Sequence, residues 1–358
     1  MNLYSVIMAG GSGVRFWPQS RRRRPKQLLK IVGEKTMIRA TIDRIIPVTP
    51  PDRIMVVTGA HHEDNIRKQI PELPVNSVVA EPVGRNTAPC VALAAYKIAK
   101  QDPEAVMLVL PADHLITKED EFIGVLKAAT QLASETGDLL TFGVVPDRPE
   151  TGYGYIHVGS EVSRFDGLKA HRVERFVEKP DITTARSYLS MGNYLWNSGM
   201  FIWKVSSIIE AFQRYLPVVC RAMEKLIPVL NTEDESRALS EIYDSLPDIS
   251  IDYGIMERAD NVLVIPVDFG WNDVGSWTSL QDVWKTDEEG NAVKGKILSL
   301  NARGCVVSSP QKLAALVGVE DLIVVDTPDA ILVCRKDKAQ DIKQLQELLK
   351  KHGYQGLL

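Results

Sequence analysis

The segment Val6 to Leu29, VIMAGGSGVRFWPQSRRRRPKQLL, constrains this chain more than any other stretch. Its apolar lead-in, Tyr4 to Met8, reads as a buried strand that runs straight into Ala9, Gly10, Gly11, Ser12 and Gly13. Glycines let backbone N–H groups converge on an anion with no Cβ in the way. Six of the twelve residues from Arg15 to Lys26 are Arg or Lys, so cationic side chains follow the loop directly. A strand, a glycine turn and a basic run describe a phosphate cradle, and a nucleoside triphosphate is the expected ligand. Other phosphate loops fit less well. No Gly-Lys-Ser/Thr is present for a Walker loop, and Phe16 stands where a dinucleotide fingerprint needs its third glycine. No His-Arg-Asp catalytic loop of a protein kinase accompanies the segment either.

The rest of the composition narrows the class. With 358 residues, 45% hydrophobic and 25% charged, the chain has room for one large domain and a smaller one. A net charge of −4 gives no global field for nucleic acid, so the Arg21 to Arg24 run is a local feature. The longest apolar runs are strand-sized, so no membrane span is expected. Met1 to Ala9 lacks a signal-peptide pattern, and Cys90, Cys220, Cys305 and Cys334 are scattered without C-x-x-C spacing. A cytoplasmic location follows as the expectation.

Apolar runs at Ile54–Thr58, Val78–Ala80, Val106–Leu110 and Leu139–Val145 read as buried strands. Helical patterns lie between them at Thr36–Ile46, Ala88–Lys100 and Glu119–Thr136. Such alternation predicts an α/β fold with a mostly parallel sheet, and ligands beyond the carboxyl ends of its strands. Val173–Lys179, a short strand Phe201–Trp203 after the Trp196-to-Met200 cluster, and Val262–Val267 extend the strand set. Helices are expected near Thr183–Met191, Ser206–Tyr215 and Ser236–Tyr243. Beyond about Asp287, short β-rich pieces (Gly304–Ser308, Leu313–Val319, Leu322–Asp326, Ala330–Arg335) suggest a small β-solenoid closed by an amphipathic helix. The domain division placed on this shift is 1–286 and 287–358.

Asp113 follows a buried strand, where a carboxylate suits Mg²⁺ bridging phosphates; Asp273, in DFGWNDVGSW, is its natural partner. Lys179 is a compact cation for a phosphate, and Glu178 beside it accepts sugar hydroxyls. Asn197 offers paired donor and acceptor atoms to a sugar, and Gly154, between Tyr153 and Tyr155, lets backbone approach a ligand. In Glu81-Pro82-Val83-Gly84-Arg85-Asn86-Thr87-Ala88-Pro89, Thr87 reads as a helix N-cap, Asn86 and Thr87 reach a ribose, and Glu81 accepts from a base. Guanine donates from N1–H and its exocyclic amine, so a carboxylate there favours it over adenine. No metal-ligand histidine spacing and no nucleophile elbow occur.

The ordered set MAGGSGVRFWPQSRRRRPKQLL, EPVGRNTAP, LPADHLI, GYGYI, FVEKP, WNSGMF and WNDVGSW resembles the sugar-1-phosphate nucleotidylyltransferases, most closely their GDP-mannose-forming branch. Val14 departs from the small hydroxyl residue that family members carry before the arginine. The resemblance implies a Rossmann-like catalytic domain followed by a short left-handed β-helix, with homodimerisation through that C-terminal region. It implies transfer of GMP from GTP to mannose 1-phosphate, with Mg²⁺ on Asp113 and Asp273. Arg15 and Lys26 then engage phosphates, alongside a nucleotide loop of Ala9, Gly10, Gly11 and Gly13. Lys179 binds the sugar phosphate, while Gly154, Glu178 and Asn197 contact the sugar. Some members add an isomerase domain; with the chain ending at Leu358, transferase activity alone is expected. Two alternatives stand beside this reading: another sugar 1-phosphate or nucleotide, and a catalytically silent regulatory paralogue that binds nucleotide sugars.

Overall fold

The computed structural model describes residues 2–11, 13–165 and 167–358; Ser12 of the glycine run lies outside the described residues. Two compact units form. The first holds residues up to Gly10, Thr41–Ala112 and Ile116–Trp271; the second holds Gly11–Ala40, Asp113–Leu115 and Asn272–Leu358.

In chain order the strands of the first half are β1 (Leu3–Met8), β2 (Ile54–Gly59), β3 (Val78–Glu81), β4 (Val106–Pro111), the short β5 (Leu115–Ile116) and β6 (Leu139–Val144). They continue with β7 (Tyr155–Phe165), β8 (Leu168–Val177), β9 (Tyr194–Lys204), β10 (Val262–Val267) and the short β11 (Trp271–Asn272). The helices that matter for the site are α1 (Met37–Ile45), α2 (Glu63–Gln69) and α3 (Thr87–Gln101), followed by α4 (Glu119–Thr136) and α5 (Ile182–Met191). A nine-stranded sheet runs β3-β2-β1-β4-β9-β6-β10-β8-β7. Its β3, β2, β1 and β4 are parallel, as are β6 and β10, while β9 is antiparallel to both β4 and β6. This is the α/β architecture that the strand–helix alternation predicts.

The parallel strands are nearly uniform apolar runs because both faces are covered. Val6, Ile7, Val56, Val57 and Val106 to Val109 are fully buried. The α3 run Val91–Ala95 is also fully buried, and its small residues let the helix lie close on the sheet.

Two local expectations are corrected. The Trp196-to-Met200 cluster does not precede a strand; it lies within the long β9, where Gly199 has φ +66° and the register with β6 shifts. Thr87 is not the N-cap of α3. Asn86 is, and its side chain accepts from the Thr87 N–H at 3.0 Å, satisfying a donor that the helix leaves unpaired.

The second unit carries β12 (Ala292–Leu300), β13 (Val306–Val317), β14 (Leu322–Asp326) and β15 (Ile331–Arg335). β12, β13 and β14 are parallel neighbours and β15 closes antiparallel, the parallel stacking of a β-helix-like domain. Two pieces expected as separate strands, Gly304–Ser308 and Leu313–Val319, are largely one strand, β13. The terminal helix starts at Ile342 and buries Ile342 and Leu349 in a core shared with Phe16, Trp17, Trp277 and Val306.

Candidate active site

In the second unit three sequence-distant motifs are joined. Phe16 packs on Trp277 with ring centroids 5.1 Å apart, and the Trp277 indole N–H donates to the Trp17 carbonyl at 3.0 Å. Lys26, only 6% exposed along its side chain, then places its ammonium 2.9 Å from Asp113 Oδ2 and donates to the Asp273 carbonyl at 2.7 Å. Gly13 makes this approach possible. With φ +60°, it would place a Cβ 2.4 Å from the Lys26 Cβ and 2.8 Å from its backbone N. Arg15 is half-buried on the 3₁₀ turn Val14–Phe16.

Burial alone would push the Asp113 carboxyl up; the Lys26 ammonium, with His114 nearby, outweighs it and holds the group below the usual carboxylate range. The Asp273 carboxylate accepts from the Gly275 N–H at 2.8 Å. The structure therefore brings Asp113 and Asp273 to the same lysine. It also changes the expected picture of the basic run, because Lys26 is buried against a carboxylate and Arg21 pairs with Asp329 at 3.0 Å.

The open part of the glycine loop begins one residue later than expected. The Ala9 N–H donates to the Val57 carbonyl at 2.8 Å, and the Ala9 carbonyl accepts from the Thr58 hydroxyl at 3.0 Å. Gly10 and Gly11 are exposed.

In the first unit Glu81 ends β3 with its side chain buried. Tyr243 donates to it at 3.1 Å, and a Cβ on Gly10 would lie 3.9 Å from its Oε2. Burial pushes the Glu81 carboxyl up to about 7 against the opposing pull of the Tyr243 bond. Asn86 is exposed, whereas the Thr87 hydroxyl is engaged, accepting from the Ile251 N–H at 2.8 Å.

A second cluster of the same unit gathers four distant residues. The Asn197 N–H donates to the Gly154 carbonyl at 2.8 Å, its Nδ2 donates to Asp252 Oδ1 at 2.7 Å, and its Oδ1 accepts from the Gly199 N–H at 3.0 Å. A Cβ on Gly154 would fall 2.6 Å from Glu178 Oε2, so a side chain there would push this carboxylate from its place. Glu178 pairs with Lys179 at 2.6 Å, and Lys179 is exposed with φ +45°. Tyr153 and Tyr155 are buried: Tyr153 stands edge-on to Trp196, and Tyr155 donates to the Glu150 carbonyl at 2.9 Å. Both belong to a buried aromatic group with Trp196.

Asp252 escaped the sequence reading. It begins a single π-helical turn, Asp252–Met256, and its partner Asn197 is 55 residues away, so no local spacing announces it. Burial and the facing Glu178 carboxylate push it up to about 6. Backbone strain is a further signal available only in three dimensions. Six described non-glycine residues have positive φ, and Asn86, Lys179 and Val274 among them fall in the EPVGRNTAP, FVEKP and WNDVGSW motifs. For a β-branched Val274 this conformation is a true outlier, of the kind that collects at functional sites.

Comparison with known proteins gives a consistent likeness. A family model described as nucleotidyl transferase matches residues 4–290, and one described as the MannoseP isomerase/GMP-like beta-helix domain matches residues 295–349. A mannose-1-phosphate guanylyltransferase of Salmonella montevideo is 43% identical over 96% of this chain and 73% of its own length. One of Klebsiella pneumoniae is 40% identical over 98% of this chain and 74% of its own. A crystal structure from Thermus thermophilus, described as a mannose-1-phosphate geranyltransferase, superposes with a TM-score of 0.87 at 36% identity, over 98% of this chain and all of that one.

Proposed function

This chain belongs to the nucleotidyl transferase family, and from that premise we propose that it is an enzyme transferring GMP from GTP to mannose 1-phosphate, with release of pyrophosphate and GDP-mannose. What carries the reading is the span of the likeness: relatives named for this activity match 96% and 98% of the chain.

A phosphate oxygen of mannose 1-phosphate attacks the α-phosphorus of GTP in line, and pyrophosphate leaves. A phosphate is already a nucleophile at neutral pH, so the chain's task is positioning and charge neutralisation. Arg15, Lys26 and the backbone of Gly10, Gly11 and Gly13 hold the triphosphate. Lys26 also keeps Asp113 ionised, as the 2.9 Å ion pair favours. Lys179 offsets repulsion as the sugar phosphate approaches, and Gly154, Glu178 and Asn197 take sugar hydroxyls. Glu81 meets the donor edge of guanine, while Asn86 and Thr87 line the ribose.

Lys26 pairs with the Asp113 carboxylate and donates to the backbone carbonyl of Asp273, and the hard carboxylate oxygens of these two residues are donors that suit Mg²⁺. Bound there, Mg²⁺ would supply charge neutralisation at the phosphoryl oxygens. The catalytic role is assigned to residues 1–286 and the β-helix role to 287–358.

Two copies pairing through the β-helix form the proposed assembly. Leu313, Val317, Ile331 and Val333 are each about 60% exposed there and line a groove of about 500 Å³. Among the described residues no helix is long and apolar enough to cross a membrane, and the four cysteines are free thiols, which suits the reducing cytoplasm.

The deciding experiment is pyrophosphate release by purified protein with Mg²⁺, across four nucleoside triphosphates and several sugar 1-phosphates. Release confined to GTP with mannose 1-phosphate is expected; release with another pair replaces the substrate names. GTP binding without any release would put the silent paralogue in its place.

A further inference from the structure

Between the base-facing loop and the sugar-facing cluster of the first unit runs one segment that touches both. At one end it is stitched to the start of α3. The Ala88 N–H donates to the Ile249 carbonyl at 3.1 Å, and the Ile251 N–H donates to the Thr87 hydroxyl at 2.8 Å. Arg85 of the same loop adds two bonds just upstream, to the Tyr243 and Asp244 carbonyls, each 2.9 Å. At the other end Asp252 accepts from Asn197.

An asparagine carboxamide has one donor end and one acceptor end. With the Gly199 N–H on Oδ1 and the Asp252 carboxylate on Nδ2, only one of its two flips satisfies both partners. The Asp252 carboxylate is itself placed by the π-helical turn it opens, in which the Glu257 N–H donates to the Asp252 carbonyl at 2.9 Å. A single short segment thus separates a nucleotide-loop hydroxyl from the amide that orients toward the sugar.

We propose that Ile249–Asp252 is a strap that fixes the orientation of Asn197 relative to the nucleotide loop, with Asp252 as the positioning residue and Thr87 as the anchor at the far end. In-line displacement tolerates little misplacement of the incoming phosphate, so a rigid link between the two loops acts directly on alignment. The proposal rests on Asn197 contacting the sugar, as assigned above. It gives Thr87 a task besides a ribose contact: its hydroxyl accepts from the Ile251 N–H and keeps its own proton to donate.

The test is steady-state pyrophosphate release by the full chain, varying GTP and mannose 1-phosphate separately. Losing one hydrogen bond to a charged group predicts a rise of about 10-fold in KM for mannose 1-phosphate in Asp252→Ala, with KM for GTP within about twofold of the parent. Asp252→Asn keeps the acceptor and should return KM to within about threefold. Thr87→Val should raise the same KM from the nucleotide side. Asp252→Ala should add nothing in an Asn197→Ala background.

An unchanged mannose 1-phosphate KM in Asp252→Ala, when Asn197→Ala raises it, overturns the strap. So do multiplying effects in the double variant. If Asp252→Ala melts too early to assay, Thr87→Val decides, and an unchanged mannose 1-phosphate KM there overturns the strap. An Asn197→Ala enzyme with unaltered KM removes the sugar assignment first, and the strap with it.

Discussion

Asp113 meets an ammonium at 2.9 Å, whereas Asp252 meets a neutral amide at 2.7 Å with the Glu178 carboxylate facing it. One carboxyl is held below its ordinary range and the other is pushed up to about 6. The difference lies in the neighbours: both are desolvated, and only the first has a buried cation to compensate. A carboxylate kept ionised is suited to bear on phosphate and metal charge. One next to amide and carboxylate groups is suited to accept from hydroxyls. Two clusters built around the same residue type are thus separated by chemistry.

The contrast is broken most forcefully at the ionised cluster. Asp113→Ala or Asp273→Ala should lower kcat by ~10²-fold or more, the scale of removing one electrostatic stabiliser. A normal turnover number in either variant would show that its carboxylate does not serve the phosphoryl centre.

Glu81 sharpens the comparison through pH. Its folded pKa lies above its unfolded value, so the neutral form is the stable one. Stability is fully present below about pH 4.5 and is lost as pH rises toward 7. Glu81→Gln removes that loss, and should gain on the parent between about pH 5 and 8 by up to about 3 kcal/mol. Paired thermal melts at the two pH values check this; a constant difference would mean that Glu81 does not titrate there. The same variant should discriminate less between GTP and ATP.

Lys179→Ala comes next. Because Lys179 is exposed and its partner Glu178 is not, the loss should fall on KM for mannose 1-phosphate, by about 10-fold. A fall in GTP affinity instead would move the residue to the nucleotide side. The smallest expected effect is at the cap of α3: Asn86→Ala should cost about 1 kcal/mol, seen as a lowered Tm.

The alternation of apolar strands and helices was readable along the chain because each parallel strand is covered on both faces and so carries a continuous apolar run. Val106–Pro111 and Glu119–Thr136 lie within a residue or so of their expected bounds for that reason. β9 was not readable at full length, since its Asn197-Ser198-Gly199 stretch breaks the apolar pattern where the Asn197 Oδ1 accepts from the Gly199 N–H. The N-cap was misplaced by one residue because Asn86 and Thr87 both suit the position. Only the positive φ of Asn86 decides between them.

Residue types at short spacing determined that this chain has a glycine turn after a strand, cations beyond it, and carboxylates at strand ends. Tertiary structure decided which of these groups meet. Gly13 is needed for the close approach of Lys26, Lys26 is committed to Asp113, and Asp252 joins Asn197 across 55 residues. Local propensity depends on neighbours along the chain, so it is written there. The ionisation and orientation of a buried side chain depend on neighbours in space, which come together only when the core closes.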